Sequence, residues 1–415
     1  MQFKRIGVGV LTIGVSVGIV GCGAQNTSST SSQPSSKVVE ITMSIQAAGN
    51  SSKALQQAVN AFNKENPSIH VTTSFYGTET AYDQALQAKI AGGVAPDVFW
   101  VDAPYVSKYV SDNVLMPLNA VIRQTHFPVK TFSPALLKAF TVGNKLYAIP
   151  KDYNVSALFY NETMLAKAHV TPPHTWAQLD ADAKGLTKKG VWGFGMYPQL
   201  NYFYPFIASA GATFVHQSGI KGFNSAAQSK ALAFFTKMFA QKVAVTPQMI
   251  GASWGGAMFA KGSVAMLYSG SWIPASTPNI KVGVLPVPVP TASDTPVSWS
   301  YTAGWGISAK SKHARAAIKF IRFMESPHEL VSGFKNGFDG LPPTTNGMQA
   351  LISANPQIAQ QLKQYQKIVA HSVSFGWANP NFVNAYNTML QSLASSPNQN
   401  VANVLSTFEK QQNLK

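Results

Sequence analysis

Between residues 38 and 101 the spacing of apolar residues switches repeatedly between the two-residue period of a strand and the 3.6-residue period of a helix. Val38 to Ile45 alternates and is rich in β-branched residues, and a polar Gly49-Asn50-Ser51-Ser52 turn follows it. Lys53 to Asn66 then carries Leu55, Ala58, Val59 and Phe62 at helical spacing. Ile69 to Tyr76 reads as the second strand and Thr80 to Ala91 as the second helix, stopped by Gly92-Gly93. Val98-Phe99-Trp100-Val101 is a short unbroken apolar run, the pattern of a strand buried on both faces. Strand, helix, strand, helix, strand at this spacing requires crossover connections, so this part of the chain is expected to be α/β.

The remainder mixes short strands with longer helices. Leu146 to Pro150 and Val155 to Tyr160 read as two extended segments separated by the polar Lys151-Asp152-Tyr153-Asn154. Thr175-Trp176-Ala177-Gln178 opens a helix with a threonine cap. Ser225 to Gln241 has a broad apolar face of Ala231, Leu232, Phe234, Phe235, Met238 and Phe239. Val264 to Tyr268, Lys281 to Leu285 and Trp305 to Ser308 return as strands, and His313 to Met324 is a helix with Ala317, Ile318, Phe320, Ile321 and Met324 inward. Further helices follow to about Phe408. A chain of 415 residues is too long for one compact core and comfortable for two.

At the start, Lys4 and Arg5 precede the mostly apolar Ile6 to Val20, which end in Gly21-Cys22. A basic stub and an apolar stretch too short to span a bilayer describe a secretory signal. Cys22 is the single cysteine, which excludes an internal disulfide and a cysteine-based metal site. Its position resembles the lipobox of bacterial lipoproteins, in which the sulfur is acylated and becomes the new N-terminus. The alternative is a plain signal peptide with an incidental thiol. The expectation is a signal over 1–21, a Ser/Thr-rich tether over 22–37, and a folded part outside the cell, held to the membrane by lipid. No later stretch offers about 20 unbroken apolar residues.

The net charge is +16, yet only 12% of residues are charged and no basic run of five or more occurs. The imbalance comes from scarce carboxylates (16) as much as from bases (32), which argues against a nucleic-acid partner. A surface poor in acids suits an acidic medium, where Asp and Glu would titrate; lineage composition or attraction to an anionic envelope are the alternatives. The eight histidines have no metal-ligand spacing, so neither metal nor cofactor is expected.

Pro96-Asp97-Val98-Phe99-Trp100-Val101-Asp102, followed by Leu115-Met116-Pro117-Leu118-Asn119, resembles the first-lobe signature of the extracellular solute-binding proteins of ABC importers, in their carbohydrate-binding, maltose-binding-protein-like family. Lys145-Leu146-Tyr147-Ala148-Ile149-Pro150 with Phe159-Tyr160-Asn161 is similar to that family's crossover. Thr171-Pro172-Pro173-His174-Thr175-Trp176 is similar to a helix start of the family. Phe259-Ala260-Lys261-Gly262 through Ala265-Met266 to Ser269-Gly270-Ser271-Trp272, and Trp305-Gly306-Ile307-Ser308 through Ala317-Ile318-Lys319-Phe320, resemble its later segments. The order of these motifs carries the resemblance more than any one of them.

The resemblance implies a two-lobed, periplasmic-binding-protein-like α/β fold of type II with the ligand in a cleft between lobes. Lobe one would be 38–151 plus 301–340, and lobe two 155–297 plus 344–415, joined by crossings at Lys151 to Asn154, Pro286 to Pro296 and Gly340 to Pro343. It also implies capture of a sugar or oligosaccharide, maltose- or maltodextrin-like, and delivery by a monomer to ABC permease subunits. Aromatic rings cover the flat faces of a sugar, while carboxylates and amides take its hydroxyls. Asp102 stands where relatives place a hydroxyl-binding acid, and Trp100 faces the same side of its strand. The resemblance places Asn154 where maltose binders often have a carboxylate, with Asp152 as its expected substitute, and puts Trp272 at the stacking-tryptophan position. Tyr202, Tyr204, Trp305 and Trp377 complete the candidate ligand-binding set. In an acidic medium Asp102 would need nearby donors that lower its pKa.

Two other readings stay open. The same fold could hold a glycerol-phosphate or a polyamine, although only Arg123, Arg315 and Arg322 follow the signal. A surface-anchored glycoside hydrolase would need two carboxylates about 5–10 Å apart, which no motif supplies. No nucleophile elbow, P-loop or dinucleotide fingerprint is present, so a binder rather than an enzyme is expected.

Overall fold

A computed structural model describes residues 38–212, 214–216, 219–220, 223, 225–277, 279–336, 340–374 and 380–414. The expectations for the signal, the tether, Cys22 and Trp377 lie outside the described residues.

The first third follows the alternation of its apolar residues. Strand β1 (Val39–Gln46), helix α1 (Gly49–Glu65), strand β2 (Ile69–Tyr76), helix α2 (Glu79–Ala91) and strand β3 (Val98–Asp102) succeed one another. β1 pairs in parallel with both β2 and β3, as crossover connections demand. The polar Gly49 to Ser52 segment is not a turn. It forms the first turn of α1, where Ala48 is extended and Ser52 Oγ donates to the Gly49 carbonyl at 2.9 Å.

A single long strand, β4 (Ala148–Asn161), replaces the two expected extended segments. Lys151 to Asn154 continue it because Tyr153 is buried and the backbone there pairs across to residues 302–303 and 341. Helix α3 (Trp176–Leu186) opens with a capping box, Thr175 accepting from the Gln178 N–H while the Gln178 side chain accepts from the Thr175 N–H. Trp176 is buried and its indole N–H donates to the Pro288 carbonyl at 2.9 Å. Then come β5 (Trp192–Gly195), α4 (Leu200–Ser209), α5 (Ser225–Ala240), β6 (Ala244–Val245), β7 (Val264–Gly270), β8 (Val282–Leu285) and β9 (Ser298–Ile307). Beyond β9 lie α6 (Ala314–Met324), α7 (Pro327–Lys335), α8 (Thr345–Ala354), α9 (Ala359–Ala370), β10 (Ser372–Val373), α10 (Pro380–Ser395) and α11 (Val401–Gln411).

The strands join in the order β6-β5-β7-β4-β9-β3-β1-β2, with β8 also on β4 and β10 also on β9. β4 and β9 run antiparallel through the middle, so both continue from one apolar core into the other. The first core gathers Ile41, Phe62, Phe99, Ile149, Ile307 and Phe320. On the other side, Phe194, Phe203, Phe235, Tyr268, Tyr386 and Phe408 form an aromatic-rich core. A third cluster, with Tyr153, Phe159, Phe259, Leu267 and Tyr365, packs beside it and takes in Leu136 from the first third of the chain.

Asp97, in the Pro-Asp motif, works locally. Its carboxylate accepts from Thr42 N and Oγ1 at 3.0 and 3.1 Å and from Ser311 Oγ at 2.5 Å, tying β1 to the loop before α6.

Candidate ligand-binding cleft

β3 ends in Trp100, Val101 and Asp102, and period-two alternation sends Trp100 and Asp102 to one side while Phe99 and Val101 enter the core. Trp100 is held from behind: the Tyr82 hydroxyl donates to its carbonyl, and the two rings meet edge to face at 5.2 Å. Both cleft residues line a cavity of about 360 Å³. Its other walls include Gln46, Ala48 and Ser51 from the β1–α1 junction, Lys151, Asp152 and Asn154 from β4, and Tyr301 from β9.

Tyr301 pairs across the ladder with Asn154, which places the ring beside the amide. Ser271 Oγ donates to Asn154 Oδ1 at 2.8 Å and its N–H donates to the Val155 carbonyl at 2.9 Å, pinning the Ser269 to Trp272 segment to β4. Trp272 therefore stands next to Tyr301, ring centroids 5.3 Å apart. The glycine of Gly-x-Trp has a steric reason: a Cβ on Gly270 would come within 2.2 Å of the Trp272 indole, which lies across the bare backbone.

The structure thus brings Trp100, Asp102, Asp152 and Asn154 to one cavity and Trp272 to its aromatic neighbour. Tyr202 is 8% exposed and lies behind the wall, stacked on Tyr197 at 4.7 Å and 6.5 Å from Tyr301. Two candidates need correction. Tyr204 is fully buried among Phe214 and Trp299, because α4 is apolar on nearly every face and this residue turns inward. Trp305 pairs directly with Trp100, but α6 covers it: its ring is 1% exposed, packs edge-on to Phe320 at 6.3 Å, and donates its N–H to Glu325 Oε1 at 2.7 Å. Sequence reasoning missed Tyr301, Lys151, Gln46 and Ser51 among the cleft residues, and Tyr301 reaches the cleft only through strand pairing.

The electrostatics of Asp102 also differ from expectation. Its carboxyl is raised rather than held low. Burial pushes it up to about 7, helped by Glu79 and, more weakly, by Asp152 and Asp83, against a hydrogen bond from the Ala103 N–H. In acid Asp102 is a neutral carboxyl that can both donate and accept, as a sugar hydroxyl does. Between about 4 and 7 the unfolded chain gives up this proton while the native protein keeps it, so its contribution to stability falls as pH rises through that window. Asp102→Asn is expected to be more stable than the parent at pH 8, by at most about 4 kcal/mol, and equal to it at pH 3.5. Thermal unfolding at the two pH values checks this; a variant less stable at pH 8 would contradict it.

With the cleft in view, comparison with known proteins places the chain. The sequence profile of the family described as bacterial extracellular solute-binding protein matches residues 48–329. The chain belongs to this family. Among curated relatives of this solute-binding protein, the "Multiple sugar-binding protein" of Streptococcus mutans is 24% identical over 328 residues, covering 71% of this chain and 73% of the relative. The "Galactooligosaccharide-binding protein" of Bacillus subtilis is 23% identical over 336 residues, covering 77% and 76%. An ABC substrate-binding protein from Listeria monocytogenes, solved in complex with cycloalternan, superposes with a TM-score of 0.73 at 25% identity, covering 91% of this chain and all of that one. The cyclic alpha-maltosyl-1,6-maltose binding protein from Arthrobacter globiformis gives 0.77 at 21% identity, covering 90% and 97%, a likeness of fold. The solute-binding protein thus has the two-lobed α/β architecture. Among its described residues no helix is long and apolar enough to cross a membrane.

Proposed function

We propose that this solute-binding protein captures a neutral oligosaccharide, maltodextrin-like in its stacked rings, and delivers it unaltered to an ABC importer. The observation that carries the reading is the cleft itself. Trp100 and Asp102 reach it from one core, while Asp152, Asn154 and Tyr301 on the crossing strands, with Trp272 beside them, reach it from the other side. Two or three charge-assisted hydrogen bonds of roughly 1.5–3 kcal/mol each, with two stacked rings, give about −8 kcal/mol after ordering costs, or micromolar affinity. What the sugar-binding relatives are named for supports the same class of ligand.

Residues 38–151 with 301–340, and 155–297 with 344–415, would move as two lobes that close on the sugar, and the closed shape would be what the permease reads. Acylation at Cys22 would hold the monomer on the outer face of the membrane. A phosphate-bearing solute fits less well, because the basic side chain in the cavity wall, Lys151, is bonded to Asp152.

A thermal-shift panel of glycans on the protein without its first 37 residues tests the reading. Maltodextrins should raise the melting temperature, and the recovered sugars should be chemically unchanged. Absence of any shift with neutral glycans would overturn it; turnover of a saccharide would transfer the cleft carboxylates to a hydrolase.

A further inference from the structure

In a regular strand, neighbouring side chains point to opposite faces, so Lys151 and Asp152 should not meet. They do. Asp152 pairs with Ala303 and Pro150 with Gly304, which leaves Lys151 as the extra residue of a β-bulge in β4. A bulge re-aims a side chain and recurs beside functional sites. Here it turns the ammonium onto Asp152 Oδ2 at 2.5 Å.

Both partners are sheltered. Lys151 is 5% exposed, and its ammonium lies 5.8 Å from the centroid of the Trp305 ring. That ring is fixed in turn by the Glu325 carboxyl at the end of α6. Asp152 is confined from its other flank by Gly340, where an added Cβ would stand 2.5 Å from the Asp152 Cβ. Its carbonyl accepts from Thr302 Oγ1 at 2.7 Å. Lys151 and Asp152 both face the cavity of about 360 Å³.

The geometry points to Lys151 as a positioning residue for sugar capture: it holds the Asp152 carboxylate in the one orientation that meets ligand hydroxyls, and it is itself held against Trp305, whose ring Glu325 fixes. This rests on the sugar-binding reading of the cleft. A carboxylate that is already oriented loses less freedom when a hydroxyl arrives, which is where preorganisation adds affinity. Asp152 without its cation would sample other rotamers and bind the same sugar more weakly.

Calorimetric titration of a maltodextrin into the parent protein, Lys151→Met, Lys151→Arg, Asp152→Asn and the Lys151→Met/Asp152→Asn double variant decides it. Methionine keeps an apolar stem over Trp305, and circular dichroism confirms folding. Lys151→Met should bind about tenfold more weakly, Lys151→Arg within about threefold of the parent, and the double variant no more weakly than Asp152→Asn alone. Parent-like binding by Lys151→Met, or losses that add in full in the double variant, would overturn the assignment while leaving the sugar reading intact. A parent protein that binds no glycan would sink the sugar reading instead. The contact itself is then judged in unliganded protein by the carbon-13 resonance of the Asp152 carboxyl. A shift in Lys151→Met that Lys151→Arg restores supports the positioning role, and an unmoved resonance refutes it.

Discussion

Trp272→Ala is expected to weaken oligosaccharide binding by more than tenfold, over about 1.4 kcal/mol, while shifting the melting temperature by no more than about 2 °C. The indole is half-buried, lies over the Gly270 backbone and stands edge-on to Tyr301. Its removal therefore takes away a face that a sugar ring could cover, and from the apolar clusters it takes only a half-buried ring at the edge of the third. The main chain that carries it stays in place, since Ser271 binds Asn154 and Val155 independently of the indole. Isothermal titration beside a thermal melt separates the two effects. Unchanged affinity would remove Trp272 from the site.

Trp305→Ala should above all lower stability. The ring fills space between β9 and α6, and its N–H donates to the buried Glu325 carboxyl. Deleting a buried tryptophan costs about 3–5 kcal/mol, and here a buried acceptor also loses its donor. For a domain of this size that loss lowers the melting temperature by roughly 5 °C. Glu325 is already pushed well above the usual carboxyl range by burial, with the Trp305 bond opposing the shift. A melt of Trp305→Ala matching the parent would show that α6 does not depend on the ring.

The contrast between these two tryptophans marks how far local sequence reaches. Each lies within two residues of a glycine, Trp272 after a strand-like run and Trp305 at the start of one, and that difference does not say which ring is covered. Burial of Trp305 depends on Phe320 and Glu325 arriving from α6. Exposure of Trp272 depends on Ser271 finding Asn154, far back in the chain. The parity of Trp100 and Asp102 was readable because two residues on one strand always share a side. Tyr301 was not, since its place beside Asn154 is a matter of strand register rather than of neighbours in sequence.

The fold was more legible. The alternation through 38–101 defines three parallel strands and two helices, and the Thr175 capping box stands where the sequence puts it. Where the reading broke β4 in two, polarity misled it: Lys151, Asp152 and Asn154 face a cleft, so a strand there has no reason to be apolar on that side. Helix α1 began earlier than Lys53 for a related reason, since its first turn is polar yet still helical at the cavity wall. The raised carboxyl of Asp102 follows first from its burial and then from Glu79, with Asp152 and Asp83 adding to it, none of which a scan for donors nearby in sequence reveals.

β9 lies between β3 and β4, and it is the last long strand of the chain to be made. Until Ile307 has left the ribosome, β3 has an open edge and the amino-terminal half cannot finish its sheet. Closing that sheet therefore takes a contact of long sequence separation, between β3 and a strand made far later, and such contacts form slowly.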